Sequence, residues 1–228
     1  MPDESRYEFA IAAKDYESKL EVVADFLSQF PELAPKLKGN PKFPSYEYWI
    51  VLSEKFVQGR ASKAPAKPST VPDDMVPVVL EEYFGVNSER LAEITHTHSL
   101  SMAAEGIIGD LLERYIASVL EPLGWIWCSG SVVRSVDFIF RHEGNPISYV
   151  ALQVKNRDNS ENSSSASVRD GTAIVKWHRT FSRTGKTNWT EFPHDHVASE
   201  LNEAGFKIFS RDYLAGIKPV KKESESGD

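Results

Sequence analysis

The 228-residue chain is 41% hydrophobic and carries 26 Lys and Arg against 33 Asp and Glu, a formal net charge of -7. That is apolar material enough for a real core, in one large domain or in a core with an extension. No run of about 18 apolar residues is present to cross a bilayer, and the acidic opening MPDESRYEF lacks the basic and apolar regions of a secretory signal, so a globular, cytoplasmic protein without a membrane partner is expected.

Residues 1–95 read as a helical N-terminal region. Apolar residues recur at helical spacing in YESKLEVVADFLSQF and EYWIVLSEKFV, which are followed by the breakers PELAP and QGRASKAPAKPSTVPDD. MVPVVLEEYFG gives a further helix, ended by Gly85 as its C-terminal cap. From residue 99, SLSMAAEGIIGDLLERYIASVLEPLGW spaces Ile107, Leu111, Leu112, Tyr115, Ile116 and Leu120 along a long core helix, closed by Pro122 and Gly124. In WIWCSG the lone Cys128 reads as a buried small hydrophobe. SVVRSVDFIFRHE and ISYVALQVKN, joined through Gly144-Asn145, predict a β-hairpin. GTAIVKWHRTF then predicts a helix, and GFKIFS a strand in a segment that buries Leu201, Phe206 and Ile208. Residues 216–228, with KKESESGD, predict a flexible, solvated tail.

Side chains alternate along a strand, so in YVALQVKN the pair Leu152 and Val154 faces a core while Ala151, Gln153 and Lys155 share the other face. In the partner strand Val136, Phe138 and Phe140 are expected to pack inward, which leaves Asp137 to point away, toward Gln153 and Lys155. On the preceding helix Gly109 and Glu113 lie one turn apart on one stripe, and this lets Glu113 reach the same cleft; Glu105, two turns earlier, is the alternative carboxylate. The bland alternative makes Gln153 and Lys155 a solvent-facing stripe.

GDLLERYIASVLEPLGW, then Asp137 in SVDFIF, then LQVKN resemble the core of the PD-(D/E)XK nucleases over about residues 100 to 210. The resemblance implies an α/β fold: a restriction-endonuclease-like core over 96–215, with a mixed central sheet flanked by helices. Val136 stands where the family often has proline, and Gln153 where it has a second acid. A neutral amide gives up about one unit of negative charge at a Mg²⁺ site, which Glu113 would restore. By this resemblance Asp137 is the main Mg²⁺ ligand and Glu113 the second, with Gln153 and the Val154 carbonyl completing the set. Lys155 would orient or help deprotonate the attacking water and stabilise developing charge.

The chain is acidic, yet residues 134–189 hold nine Lys and Arg against five acids, and the local sign governs a binding surface more than the total does. Within 156–189 stand the residue types that bond phosphates and base edges: Arg157, Arg169, Lys176, Arg179, Arg183 and Lys186, with Asn156, Asn159, Asn162 and Ser163. A polar loop before an amphipathic helix is the plainer alternative. The run QVKNRDNSENSSSASVRDGTAIVKWHR is similar to the SinI-type group of type II restriction endonucleases. That likeness implies Mg²⁺-dependent, sequence-specific cleavage of double-stranded DNA at GGWCC, by a homodimer with one active site for each strand. It also implies a companion DNA methyltransferase acting on the same site. The competing readings are a modification-dependent or junction-cutting nuclease of the same fold, and a catalytically dead DNA-binding module, which the glutamine would suit. The histidine pairs at 96 and 98 and at 194 and 196 read as incidental loop residues, and Trp125, Trp127 and Trp177 as core or interface.

Overall fold

The computed structural model describes residues 7–65, 73–144, 146–158, 174–194, 197 and 200–217. Helices α1 (Glu17–Gln29), α2 (Tyr46–Arg60), α3 (Met75–Glu82) and α4 (Ser88–Leu120) precede strands β1 (Ile126–Trp127), β2 (Phe138–His142), β3 (Ser148–Arg157) and β4 (Ile174–Thr180), and α5 (Glu203–Ile217) follows. The expected α/β architecture with a mixed sheet is present. Its strand order is β1-β2-β3-β4, antiparallel except between β3 and β4. The hairpin register sets Phe138 opposite Leu152, and β4 sets Lys176 opposite Gln153 and His178 opposite Lys155.

Local chemistry starts three of the helices. Ser45 accepts a hydrogen bond from the Tyr48 amide at the head of α2, Asn87 one from Glu89 at the head of α4, and Asn202 one from Gly205 in the first turn of α5. Each satisfies an amide that has no partner within its helix.

The sheet is covered on both faces. Leu20, Leu27, Leu52 and Phe56 of α1 and α2 meet Ile126, Ile139 and Ala151 in one core. Leu112, Ile116 and Phe206 of α4 and α5 meet Trp127, Phe138, Leu152 and Val154 in the other. The solvent-facing stripe is therefore absent, since Ala151 is core and Gln153 is 2% exposed. Val136 joins the first core and Phe138 the second, not one inward face as alternation suggests. The backbone turns over just before them, at Ser135 with φ 58°.

Two elements exchange type. GTAIVKWHRTF supplies β4, not a helix: Ile174, Trp177 and Phe181 stand three and four apart and mimic a helical stripe, but the β-branched Ile174, Val175 and Thr180 fit the pleat and pair with β3. GFKIFS lies in α5, where Phe206, Phe209 and Tyr213 recur at helical spacing over a window longer than the six residues read as a strand. Ile208 is 58% exposed on that helix, whereas Leu201 and Phe206 are buried. α4 begins at Ser88, runs unbroken through residue 95, and carries the exposed His96 and His98 on a helix, not in a loop.

α2 lies directly on the segment between β1 and β2. A Cβ on Gly59 would collide with the backbone of Gly130, and one on Gly130 with the Lys55 carbonyl. The Ser129 hydroxyl donates to the Phe56 carbonyl at 2.8 Å in the same contact. Gly59→Ala is expected to force these backbones apart at a cost of about 1–3 kcal/mol, read as a lower urea midpoint with an unchanged denaturant slope.

Candidate active site

Asp137 sits at the mouth of the hairpin, one residue before β2. Its backbone already belongs to the sheet: the amide donates to the Leu152 carbonyl at 2.9 Å, and the carbonyl accepts from the Cys128 amide at 2.8 Å. Its carboxylate takes the next rung, where Oδ2 accepts the Val154 N–H at 2.7 Å. A side chain thus stands in for backbone pairing at the point where β2 and β3 part, and both strands fix its position.

Glu113 comes from α4 and accepts a hydrogen bond from the Trp127 indole, Nε1 to Oε2 at 2.9 Å. The Trp127 ring, 5% exposed, has the Arg60 and Arg114 guanidinium carbons 5.3 and 5.1 Å from its centroid. Those arginines are anchored in turn. Arg114 donates to the carbonyls of Gly59, Arg60 and Ala61 at the end of α2 and pairs with Asp110 at 2.6 Å. Arg60 forks onto Glu121 at 3.0 and 2.8 Å and also reaches the Trp127 carbonyl. The direction of the Glu113 carboxylate therefore depends on the tail of α2.

The two acids are electrostatically expensive. Burial, then the charge of Asp137, pushes Glu113 up to about 8 against the opposing Trp127 hydrogen bond. Burial raises Asp137 to about 6, although the Val154 N–H and the Lys155 charge pull it down. Two carboxyls that resist ionising beside each other are what a cation or a shared proton would relieve.

A cleft of about 510 Å³ opens between α4, with Glu105, Gly106, Gly109 and Glu113, and β3, with Val154, Lys155, Asn156 and Arg157. A Cβ on Gly106 or Gly109 would meet no atom within 4 Å, so the glycine stripe leaves the floor open. The structure thus brings Asp137, Glu113, Val154 and Lys155 together. Gln153 is buried and is not among the residues that line the cleft, and its Oε1 has no hydrogen-bond partner among the described residues. Glu105, the alternative acid, is 65% exposed and lies 4.0 Å from Arg157. No group of three or more His, Cys, Asp or Glu gathers as a metal set among the described residues. The available oxygen donors are two carboxylates, the unpartnered amide oxygen and backbone carbonyls, all hard donors suited to a Mg²⁺-like ion.

Of the expected DNA contacts, Asn159, Asn162, Ser163 and Arg169 lie outside the described residues. Arg157 is at the cleft. Arg183 and Lys186 are exposed on the tight turn after β4, where the Phe181 amide bonds the Lys186 carbonyl, and Lys176 lies on β4 itself. Arg179 is engaged internally: its guanidinium, 13% exposed, pairs with Glu203 at 2.7 Å and donates from Nε to Asn156 Oδ1 at 2.9 Å. Both Arg179 and Asn156 so fasten β3 and β4 to α5.

The model of the SinI restriction endonuclease family matches residues 8–216. The chain belongs to that family. It is 47% identical over 203 residues, covering 88% of this chain and 88% of each relative, to the type II restriction enzymes Eco47I of Escherichia coli and SinI of Salmonella infantis. It is accordingly a type II restriction enzyme, a site-specific deoxyribonuclease, and no helix among its described residues is long and apolar enough to cross a membrane.

Sequence reading missed Trp127 as more than core, and missed Arg60 and Arg114 altogether. The partners of Arg114 on α2 lie 53 to 55 residues away in sequence, and no local pattern signals such a clasp.

Because folding holds both carboxyls above their ordinary values, this pair burdens the metal-free protein least where both are protonated in the folded and unfolded states alike. The protein loses stability as pH rises from the ordinary carboxylate range through about 6 and on to about 8. Melting temperatures in chelator should fall across that window, and Glu113→Gln should flatten the upper part of the curve; an unchanged slope in the variant would contradict the burial of that charge.

Proposed function

We propose that cleavage runs through Asp137, Glu113, Gln153 and Lys155 with Mg²⁺ as cofactor. The observation that carries this reading is the pair of buried, mutually repelling carboxylates, with an amide oxygen that lacks a partner on the adjoining strand β3. Asp137, Glu113, Gln153 Oε1 and the Val154 carbonyl would hold the ion. When bound, Mg²⁺ supplies charge neutralisation at the scissile phosphate and a more acidic water.

The chain's own groups do the rest. The Val154 backbone N–H and the Trp127 indole N–H hold the two carboxylates at fixed angles, and this removes the need to reorganise during the reaction. Lys155 on the cleft wall orients the attacking water and stabilises the negative charge that grows on the phosphate oxygens. Arg157, Arg183 and Lys186 are proposed to face the duplex, with phosphate contacts supplying most of the affinity. The target is proposed to be GGWCC, cut on both strands by a homodimer in the cytoplasm and protected in the host by a methyltransferase of the same specificity.

Asp137→Ala and Lys155→Ala should each slow plasmid cleavage by at least about 100-fold, while binding of a target duplex, followed by gel shift in chelator, stays within a few-fold of the parent. Normal cutting by either variant would refute the assignment. On unmodified phage DNA with Mg²⁺ the parent protein should give discrete bands; cutting confined to methylated or branched DNA would favour the modification-dependent or junction-cutting alternative, and binding without cutting the dead module.

The two candidate glutamates separate on metal demand. Glu113→Gln should raise the Mg²⁺ concentration for half-maximal cleavage about 10–100-fold, whereas Glu105→Gln leaves it unchanged. The reverse result would move the second carboxylate to Glu105.

A further inference from the structure

Large apolar side chains are exposed singly over most of the described residues, but not on α3. Met75, Val76, Val78, Val79, Tyr83 and Phe84 are 43 to 81% exposed within ten residues, and Leu100 and Met102 follow at 50 and 54% on α4. α3 packs against α4 yet buries none of its residues, and α4 buries nothing before Ile107. An eight-residue helix cannot hold itself together in water, and this one spends its apolar side chains on solvent. The exposed area of these side chains is on the order of 700 Å², above the ~300–600 Å² of the largest patch on a typical monomer and close to the ~800 Å² each partner gives to a stable interface.

The charge around the patch narrows the occupant. Residues 73–104 carry six acids, Asp73, Asp74, Glu81, Glu82, Glu89 and Glu93, against Arg90 alone. A DNA backbone, charged along its whole length, would be repelled from such a rim and has no apolar face to cover the patch. A second copy of the chain supplies an equal apolar face, and two helical hairpins related by a twofold axis bury each other as a four-helix arrangement. We propose that α3 and residues 88–104 of α4 form the twofold interface of a homodimer. This deepens the nuclease reading, on which it rests for its purpose: cutting both strands takes two clefts, and the described residues of one chain form one such cleft.

The association itself is tested without DNA or metal. Sedimentation equilibrium of the full chain should show a dimer, and the double substitution Val79→Glu, Tyr83→Glu should weaken it at least about 100-fold. The circular dichroism spectrum should lose no more helix than the eight residues of α3 supply, because neither side chain is buried within the protomer. Cys128, the sole cysteine, is buried, so a spin label on Val78→Cys reports from α3 alone and should show dipolar coupling between protomers. With plasmid substrate the double variant should nick where the parent linearises. A parent protein that stays monomeric, or a dimer that survives both substitutions and shows no coupling at residue 78, would overturn the proposal. A dimer with this interface that never cuts DNA would uphold it and sink the nuclease reading alone.

Discussion

Asp137 and Glu113 are the constraint around which this molecule is arranged: two acids drawn out of water and toward each other at the end of the sheet's central hairpin. Burial of either charge is unfavourable, and their proximity adds to the cost. The fold tolerates this because each carboxylate is met by one N–H from rigid structure, Val154 on β3 for Asp137 and the Trp127 indole for Glu113. Those donors orient the acids without neutralising them. The proposed Mg²⁺ would relieve that shortage of positive charge, and the unpartnered Gln153 oxygen on β3 is a further donor it could take. Stability given up here is the expected counterpart of a preorganised site.

Support for Glu113 reaches far into the N-terminal half. Trp127 is held between Arg60 and Arg114, and Arg114 is spent on the last carbonyls of α2, which would otherwise lack partners. Gly59, the residue whose missing side chain lets α2 lie on the Gly130 backbone, supplies one of those carbonyls. The N-terminal helices are thus not an appendage. They close one face of the sheet and, through the buried guanidinium of Arg114 and the mostly covered one of Arg60, set the direction of a carboxylate borne by α4.

What the sequence discloses of all this follows from the range of each interaction. The hairpin is legible because period-two alternation and a Gly-containing turn are local, and LQVKN after SVDFIF sets Asp137, Gln153 and Lys155 near one another in any antiparallel register close to the true one. Glu113 is legible because its stripe with Gly109 is a one-turn relation. β4 and α5 are misread because six to ten residues with mixed apolar spacing satisfy both periods, and only pairing with β3 in one case and the longer stripe to Tyr213 in the other decide between them. The burial of Gln153 is invisible to alternation alone, which assigns a face but not what covers it. The indole and guanidinium supports are invisible for a simpler reason: their partners are brought in by folding from 14 to 67 residues away.

α4 joins these themes mechanically. At about 1.5 Å per residue its 33 residues form a rod of about 50 Å, with the apolar, unburied section at one end and Glu113 near the other. Buried contacts begin at Ile107, so the rod leaves the protomer's core just where it begins to line the cleft with Glu105, Gly106 and Gly109. If the free end is shared with a second copy, the separation and tilt of two clefts are dictated by a continuous helix and not by a linker. Cuts on opposite strands must be held at a fixed stagger to produce uniform ends, and a rod that carried both the proposed interface and the proposed site carboxylate would supply that stiffness. On the proposed nuclease reading the open glycine floor would then let DNA approach the sheet beside α4 without bending the element on which the spacing depends.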